Sequence, residues 1–276
     1  MNYQHLQHAG NFADVFKHFL LVRLLQALAR KEKGFVYIDT HAGAGRYDLR
    51  SPDLRTAEHH DGIGTIYAAQ EPNIADYLAA VRGVNAAGPL RYYPGSPRIA
   101  RFFLRPQDRM LLAEQAPEEC ARLRAEFARD TQVHIDCRDG YAALKAWLPP
   151  AERRGLVLID PPYEGVDEWT RVREALAMAT GRWAQGVYAV WYPLKSGAPV
   201  ARFKAALAGS GLRKLLVAEI DVWPADTPFR LNGCGMLLFN PPWPLDRELP
   251  PLLDRLVQRL GHAPAAAARV EWLVPE

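Results

Sequence analysis

The order in which apolar, β-branched runs alternate with helical stretches constrains this chain more than any other feature. Phe35-Val36-Tyr37-Ile38-Asp39 is a short apolar and aromatic run that stops at Thr40-His41-Ala42-Gly43-Ala44-Gly45, the pattern of a buried strand opening into a glycine loop. The same grammar recurs. Met110 to Glu114 is followed by a helical stretch from Glu118 to Arg129, and Val133 to Cys137 leads into Asp139-Gly140 and a helix reaching Trp147. Gly155 to Ile159 then ends at Asp160-Pro161-Pro162-Tyr163, a helix from Trp169 to Thr180 follows, and Val187 to Trp191 reads as the next strand. Strands alternating with helices predict an α/β fold with a parallel sheet.

The tail departs from that rhythm. Leu215 to Val222 and Met236 to Asn240 are strand-like, and the Pro/Gly-bearing loop between them leaves no room for a helix, so they should pair antiparallel. Counting from residue 35 gives seven strands with the last reversed. That is the topology of the Rossmann-like class I S-adenosylmethionine-dependent methyltransferase fold, not of the ordinary dinucleotide-binding sheet. Residues 47–91 fit neither pattern. Their Ala/Leu-rich stretches, Gly64 to Gln70 and Ile74 to Val84, predict a small helical insertion in a main domain built from residues 1–46 and 92–276.

Composition excludes several classes. With 276 residues, 49% of them hydrophobic and 24% charged, the chain can bury a full core and is neither disordered nor fibrous. The apolar run Phe19 to Val22 is flanked by Lys17, Arg23 and Arg30 with no small-residue cleavage site after it, so neither a signal peptide nor a membrane span is expected. Cys120, Cys137 and Cys234 lie far apart in sequence; reduced, mostly buried thiols, no metal site and a cytoplasmic protein are expected. A net charge of +3 is too small to name a partner. Arg91, Arg98, Arg101, Arg105 and Arg109 do face only Asp108 in the intervening sequence, which leaves two readings open: a solvated helix face, or a rim that contacts phosphates.

Asp160-Pro161-Pro162-Tyr163 carries the sharpest chemistry, because it follows a continuous apolar strand and so falls at a carboxyl end, where open α/β sheets bind ligands. The exocyclic amine of adenine is a poor nucleophile, its lone pair being delocalised into the ring. A carboxylate and a backbone carbonyl that accept from both N–H groups localise that lone pair and offset the developing positive charge. Asp160 and the Pro161 carbonyl suit this, the prolines give a stiff acceptor-only loop, and Tyr163 offers a flat face for an unstacked base. The glycine loop alone is weak evidence, and its lack of a third glycine counts against a nicotinamide enzyme. Glu114 stands where it could accept from ribose hydroxyls, and Asp139-Gly140 where it could meet an adenine amine. Asn240-Pro241-Pro242-Trp243 has similar composition, but it follows the reversed strand and is assigned a structural role.

The sequence closely resembles the ribosomal large-subunit methyltransferase J family over essentially its whole length. The resemblance is carried by Tyr3-Gln4-His5 with His8 to His18, by Asp39 to Tyr47, by Arg91-Tyr92-Tyr93-Pro94-Gly95-Ser96-Pro97, by the Asp160 motif and by Trp272 to Glu276. It implies N6-methylation of an adenine in 23S rRNA with S-adenosylmethionine as cofactor, by a protein expected to be a cytoplasmic monomer. It further implies a cofactor site made of Lys17, His18, His41, Ser96, Glu114, Asp139, Gly140 and Asp160, a catalytic Asp160 with Pro161 and Tyr163, and RNA contacts from Tyr3 and His5. From the residues alone, Asn11 or Asp14 caps a helix running to Arg30, and Lys17 and His18 are ordinary surface residues; with the resemblance, Lys17 meets the cofactor's carboxylate. Competing readings are a DNA adenine-N6 methyltransferase, a non-catalytic RNA-binding protein with this sheet, and a small-molecule amine methyltransferase.

Overall fold

The structure is a computed structural model that describes residues 5–86, 88–224, 227, 228, 231–262, 264 and 266–276. Tyr3, implied to touch RNA, lies outside the described residues. The chain divides into two compact units, residues 1–146 and 147–276.

The first unit begins with a single turn at His5–Gln7 and then helix α1, Phe12–Ala29, whose start is fixed by Asn11: its side chain accepts from the Asp14 amide at 3.0 Å. Fourteen of the helix's residues are buried and they lie on all of its faces, so α1 is a core helix, not an amphipathic cover. Strand β1, Val36–Asp39, is buried throughout. Strand β2, Arg46–Asp48, pairs antiparallel with β3, Tyr92–Pro94, a small second sheet that the sequence reading missed. Between them lie α2, Ile63–Ile66, and α3, Ala75–Gly83, helices shorter than the sequence pattern suggested. The unit continues with α4, Ser96–Phe103, β4, Arg109–Ala113, α5, Pro117–Glu126, β5, Val133–Asp136, and α6, Gly140–Trp147. Strand β4 pairs in parallel with β1 on one side and β5 on the other.

The expectation of separate thiols is corrected here. Cys120 and Cys137 form a disulfide, with Cα atoms 5.7 Å apart, while Cys234 is free and buried. Because β4 and β5 run parallel, the start of α5 and the end of β5 lie at the same sheet edge, so 17 residues of sequence separation close to bonding distance.

In the second unit β6, Gly155–Ile159, is buried throughout and leads through α7, Glu168–Arg182, to the parallel strand β7, Val187–Leu194. Helix α8, Val200–Ala208, precedes β8, Leu215–Asp221, and β9, Gly233–Phe239, which lies between β7 and β8 and is antiparallel to both. The antiparallel tail is therefore as expected. One correction applies: after α9, Leu245–Leu260, the chain adds β10, Ala267–Val274, antiparallel to β8, so the reversed β9 is not the last strand. No helix among the described residues is long and apolar enough to cross a membrane.

Candidate active site

The carboxyl ends of β1, β4 and β5 bring together residues scattered over a hundred positions. Asp39, fully buried, accepts from the Tyr37 hydroxyl and the Ser96 hydroxyl, each at 2.7 Å, and from the His41 amide at 3.2 Å. The sequence reading named Ser96 and His41 but not Asp39, the carboxylate that ties them together. Its signal was available in principle: an acid closing an otherwise apolar strand needs partners to be buried. Gly43 and Gly45 have φ of +60° and +79°, and a Cβ on Gly43 would run into the Tyr47 hydroxyl. This bend directs the Gly43 amide to Glu114 Oε2 at 2.8 Å, while Glu114 Oε1 accepts from the Ala116 amide at 2.8 Å. Asp139 Oδ1 accepts from the Ala142 amide at 2.9 Å, capping α6. Gly140 abuts the Thr40 carbonyl so closely that a Cβ there would collide with it. His41, Ser96, Glu114, Asp139 and Gly140 thus form one cluster around the glycine loop.

Lys17 and His18 are buried, with 4% and 0% of their surface exposed, so reading them as ordinary surface residues fails. His18 Nδ1 lies 2.8 Å from the Tyr93 hydroxyl, which in turn lies 3.1 Å from the Tyr77 hydroxyl. Burial pushes the His18 imidazole down to about 3 despite the nearby Asp14, so the ring is neutral at physiological pH. Its Nε2 is buried with no hydrogen-bond partner among the described residues, an unmet demand that a polar ligand would satisfy. Burial favours protonation of Asp14, but His5 and Lys17 outweigh it and hold the carboxyl well below its usual range.

In the second unit, Asp160 follows the last residue of β6 and is half-buried, with Pro161 buried and Pro162 exposed. Tyr163 departs from expectation. It has φ +52°, is 7% exposed, donates its hydroxyl to the Trp191 carbonyl at 2.8 Å, and packs against Trp169 at a centroid distance of 4.6 Å. Its ring is a buttress between β6 and β7, not an open stacking face, because α7 brings Trp169 over it. Asn240 lies at the other edge of this sheet: β9 runs against β7 with Phe239 opposite Tyr188, near the start of β7. Its side-chain amide donates to the carbonyls of Ala184 at 2.5 Å and Gly186 at 3.2 Å, which makes it a loop staple.

Four of the arginines between residues 91 and 109 are held by carboxylates. Arg91 pairs with Asp48 at 2.9 Å, Arg98 with Glu126, Arg101 with Asp130, and Arg105 with Asp108 at 2.9 Å. Their partners lie mostly outside the 91–109 stretch, so local charge counting does not reveal them.

Parallel strands joined through helices make this a Rossmann-like α/β fold, and comparison with protein families makes it a methyltransferase. The family model described as ribosomal RNA large subunit methyltransferase D, RlmJ, matches residues 32–274. The chain belongs to this ribosomal RNA large-subunit methyltransferase J family. It is 41% identical to the ribosomal RNA large subunit methyltransferase J of Escherichia coli and 42% identical to that of Haemophilus influenzae, with all of each chain covered in both cases. A crystal structure of a Legionella pneumophila protein, 33% identical, superposes with a TM-score of 0.88 over 96% of this chain and 98% of that one.

Proposed function

We propose that this protein methylates the exocyclic N6 amine of an adenine in 23S rRNA, using S-adenosylmethionine. The observation that carries the reading is Asp160-Pro161: a half-buried carboxylate followed by a proline carbonyl, at the carboxyl end of a fully buried parallel strand. The full-length relatives, named as large-subunit rRNA methyltransferases, supply the substrate class.

On this reading the Asp160 carboxylate and the Pro161 carbonyl accept from the two amine N–H groups. The nitrogen lone pair is drawn out of the ring, and the positive charge that grows on nitrogen during attack meets a fixed negative group. Tyr163 acts by holding the loop, through its hydroxyl on the Trp191 carbonyl. S-adenosylmethionine, when bound, supplies an electrophilic methyl group on a sulfonium. The cluster in the first unit fits such a cofactor: the unpartnered His18 Nε2 is a polar atom awaiting a ligand, and the glycine loop and Gly140 leave no room for side chains. Glu114 would take the ribose hydroxyls, since each of its oxygens keeps a further lone pair. Asp139 and Gly140 would take the adenine amine, and Lys17, His18, His41 and Ser96 the amino-acid end. Tyr3 and His5 would contact the RNA, and residues 47–91 would be an insertion in the domain formed by 1–46 and 92–276.

The test is to incubate the protein with isotopically labelled cofactor and protein-free 23S rRNA, then map the modified nucleoside. N6-methyladenine at one position is expected. Label on another base, or on DNA in preference to RNA, would refute the reading.

A further inference from the structure

Asp14 is not among the residues of the proposed cofactor site, yet its buried carboxylate meets three partners. It is 3% exposed and sits in the first turn of α1. Oδ1 lies 2.8 Å from the Lys17 ammonium; Oδ2 accepts from the Gly10 amide at 3.0 Å and lies 3.1 Å from His5 Nε2. Gly10 itself has φ +78°, and a Cβ there would press on Ile63 at 2.9 Å, so the backbone of this junction has little freedom. One carboxylate thus fixes three things: the ammonium on α1, the turn that leads into α1, and the ring that precedes it.

The geometry points to Asp14 as a positioning residue for methyl transfer. It sets Lys17 and the His5 segment in a single arrangement, so that the cofactor end and the RNA-contacting segment are held together. The physical reason is that a buried ammonium keeps its place only where a buried counter-charge holds it, and Asp14 is that counter-charge, ionised because His5 and Lys17 both face it. A carboxylate with several lone pairs can serve three donors at once, whereas a neutral amide of the same size can accept at one atom only. The inference rests on the proposed roles of Lys17 and His5 and adds what makes them act together.

The experiment compares Asp14→Asn, isosteric but neutral, with Asp14→Glu, charged but longer. Three quantities are read: methylation of 23S rRNA, calorimetric affinity for S-adenosylhomocysteine, and thermal midpoint. If Asp14 acts through its charge, Asn should lose at least about tenfold in kcat/KM for RNA and weaken the cofactor product's binding, while Glu retains more of both despite its poorer fit. A residue that only packs would give the opposite order, which overturns the proposal. Should Asp14→Asn fold poorly, combining it with Lys17→Met removes both charges of the buried pair, and the double variant should bind S-adenosylhomocysteine as Lys17→Met does alone. Losses that multiply would show that Asp14 does not act through Lys17. Unchanged affinity in Lys17→Met by itself would strike instead at the reading of the cofactor site, and the order of the Asn and Glu variants in methylation would still decide the role of Asp14.

Discussion

The loops after β6 and β9 are built from nearly the same letters, Asp160-Pro-Pro-Tyr163 and Asn240-Pro-Pro-Trp243, and each follows a fully buried apolar strand. They are used in opposite ways. β6 runs parallel to β7, its last residue beside Val190 and its chain heading toward β7's carboxyl end, whereas β9 runs against β7 and ends near where β7 starts. The first loop presents a half-buried carboxylate and tucks its aromatic ring inside; the second spends its amide on two backbone carbonyls and leaves Trp243 79% exposed. Composition of a motif is therefore not enough. Strand direction decides at which end of the sheet the same turn emerges.

The largest effect that separates the loops should come from Asp160→Ala, which removes an acceptor needed as charge develops and should lower turnover by about 10²–10³-fold, with the thermal midpoint nearly unchanged. An active alanine variant would break the contrast. Asp160→Asn keeps one acceptor, so substantial residual turnover would favour polarisation over proton abstraction. Next come the aromatics. Tyr163→Ala empties a buried site and should cost about 3 kcal/mol of stability, while Trp243→Ala should stay within about 0.5 kcal/mol; urea denaturation of both reverses the assignment if the order is reversed.

Acid sensitivity supplies a control that neither loop should touch. The folded His18 titrates near 3, below an unfolded value of about 6.5, so its contribution is present above pH 6.5 and is lost as pH falls through the window between the two. Each unit in that window should lower the folding constant by about tenfold from this group alone. Both loop variants should keep that slope and His18→Gln should flatten it, measured by denaturation at stepped pH. A modest effect on stability, and none on methylation, belongs to Asn240. With φ +51° and two side-chain hydrogen bonds, its replacement by Ala should cost about 1–2 kcal/mol, and by Gly less, since Gly retains the left-handed backbone. Loss of methylation without loss of stability in either would show that the wrong loop was chosen.

Where the sequence was readable, the reason was long-range burial expressed locally. The seven expected strands are all present because most are runs of consecutive apolar residues and β5, Val133-His134-Ile135-Asp136, alternates apolar and polar; the antiparallel tail followed from a loop too short for a crossover. β10 escaped because it is half-exposed along its length and opens on Ala267-Ala268, which carry no strand pattern. The disulfide escaped because two cysteines in one crossover become neighbours only when the strands are laid parallel. Of the candidate site, the acids at strand ends were legible from position. Asp14 and the burial of Tyr163 were not, since each depends on contacts beyond its own element.

The pairing of Arg91, Arg98, Arg101 and Arg105 has a consequence for how this protein should respond to salt. A phosphate that meets a guanidinium already neutralised by a carboxylate gains little net charge there, so little of the condensed ion atmosphere of the RNA is released. Helix α4 and its flanks should then add little to the log–log dependence of RNA affinity on ionic strength, which for single strands changes by roughly 0.7 per phosphate contact. Reversing the charge of Arg101 should accordingly be felt as lost folding stability through Asp130, with the salt slope unmoved. A slope that falls by a full contact would instead mean that the RNA competes successfully for these arginines.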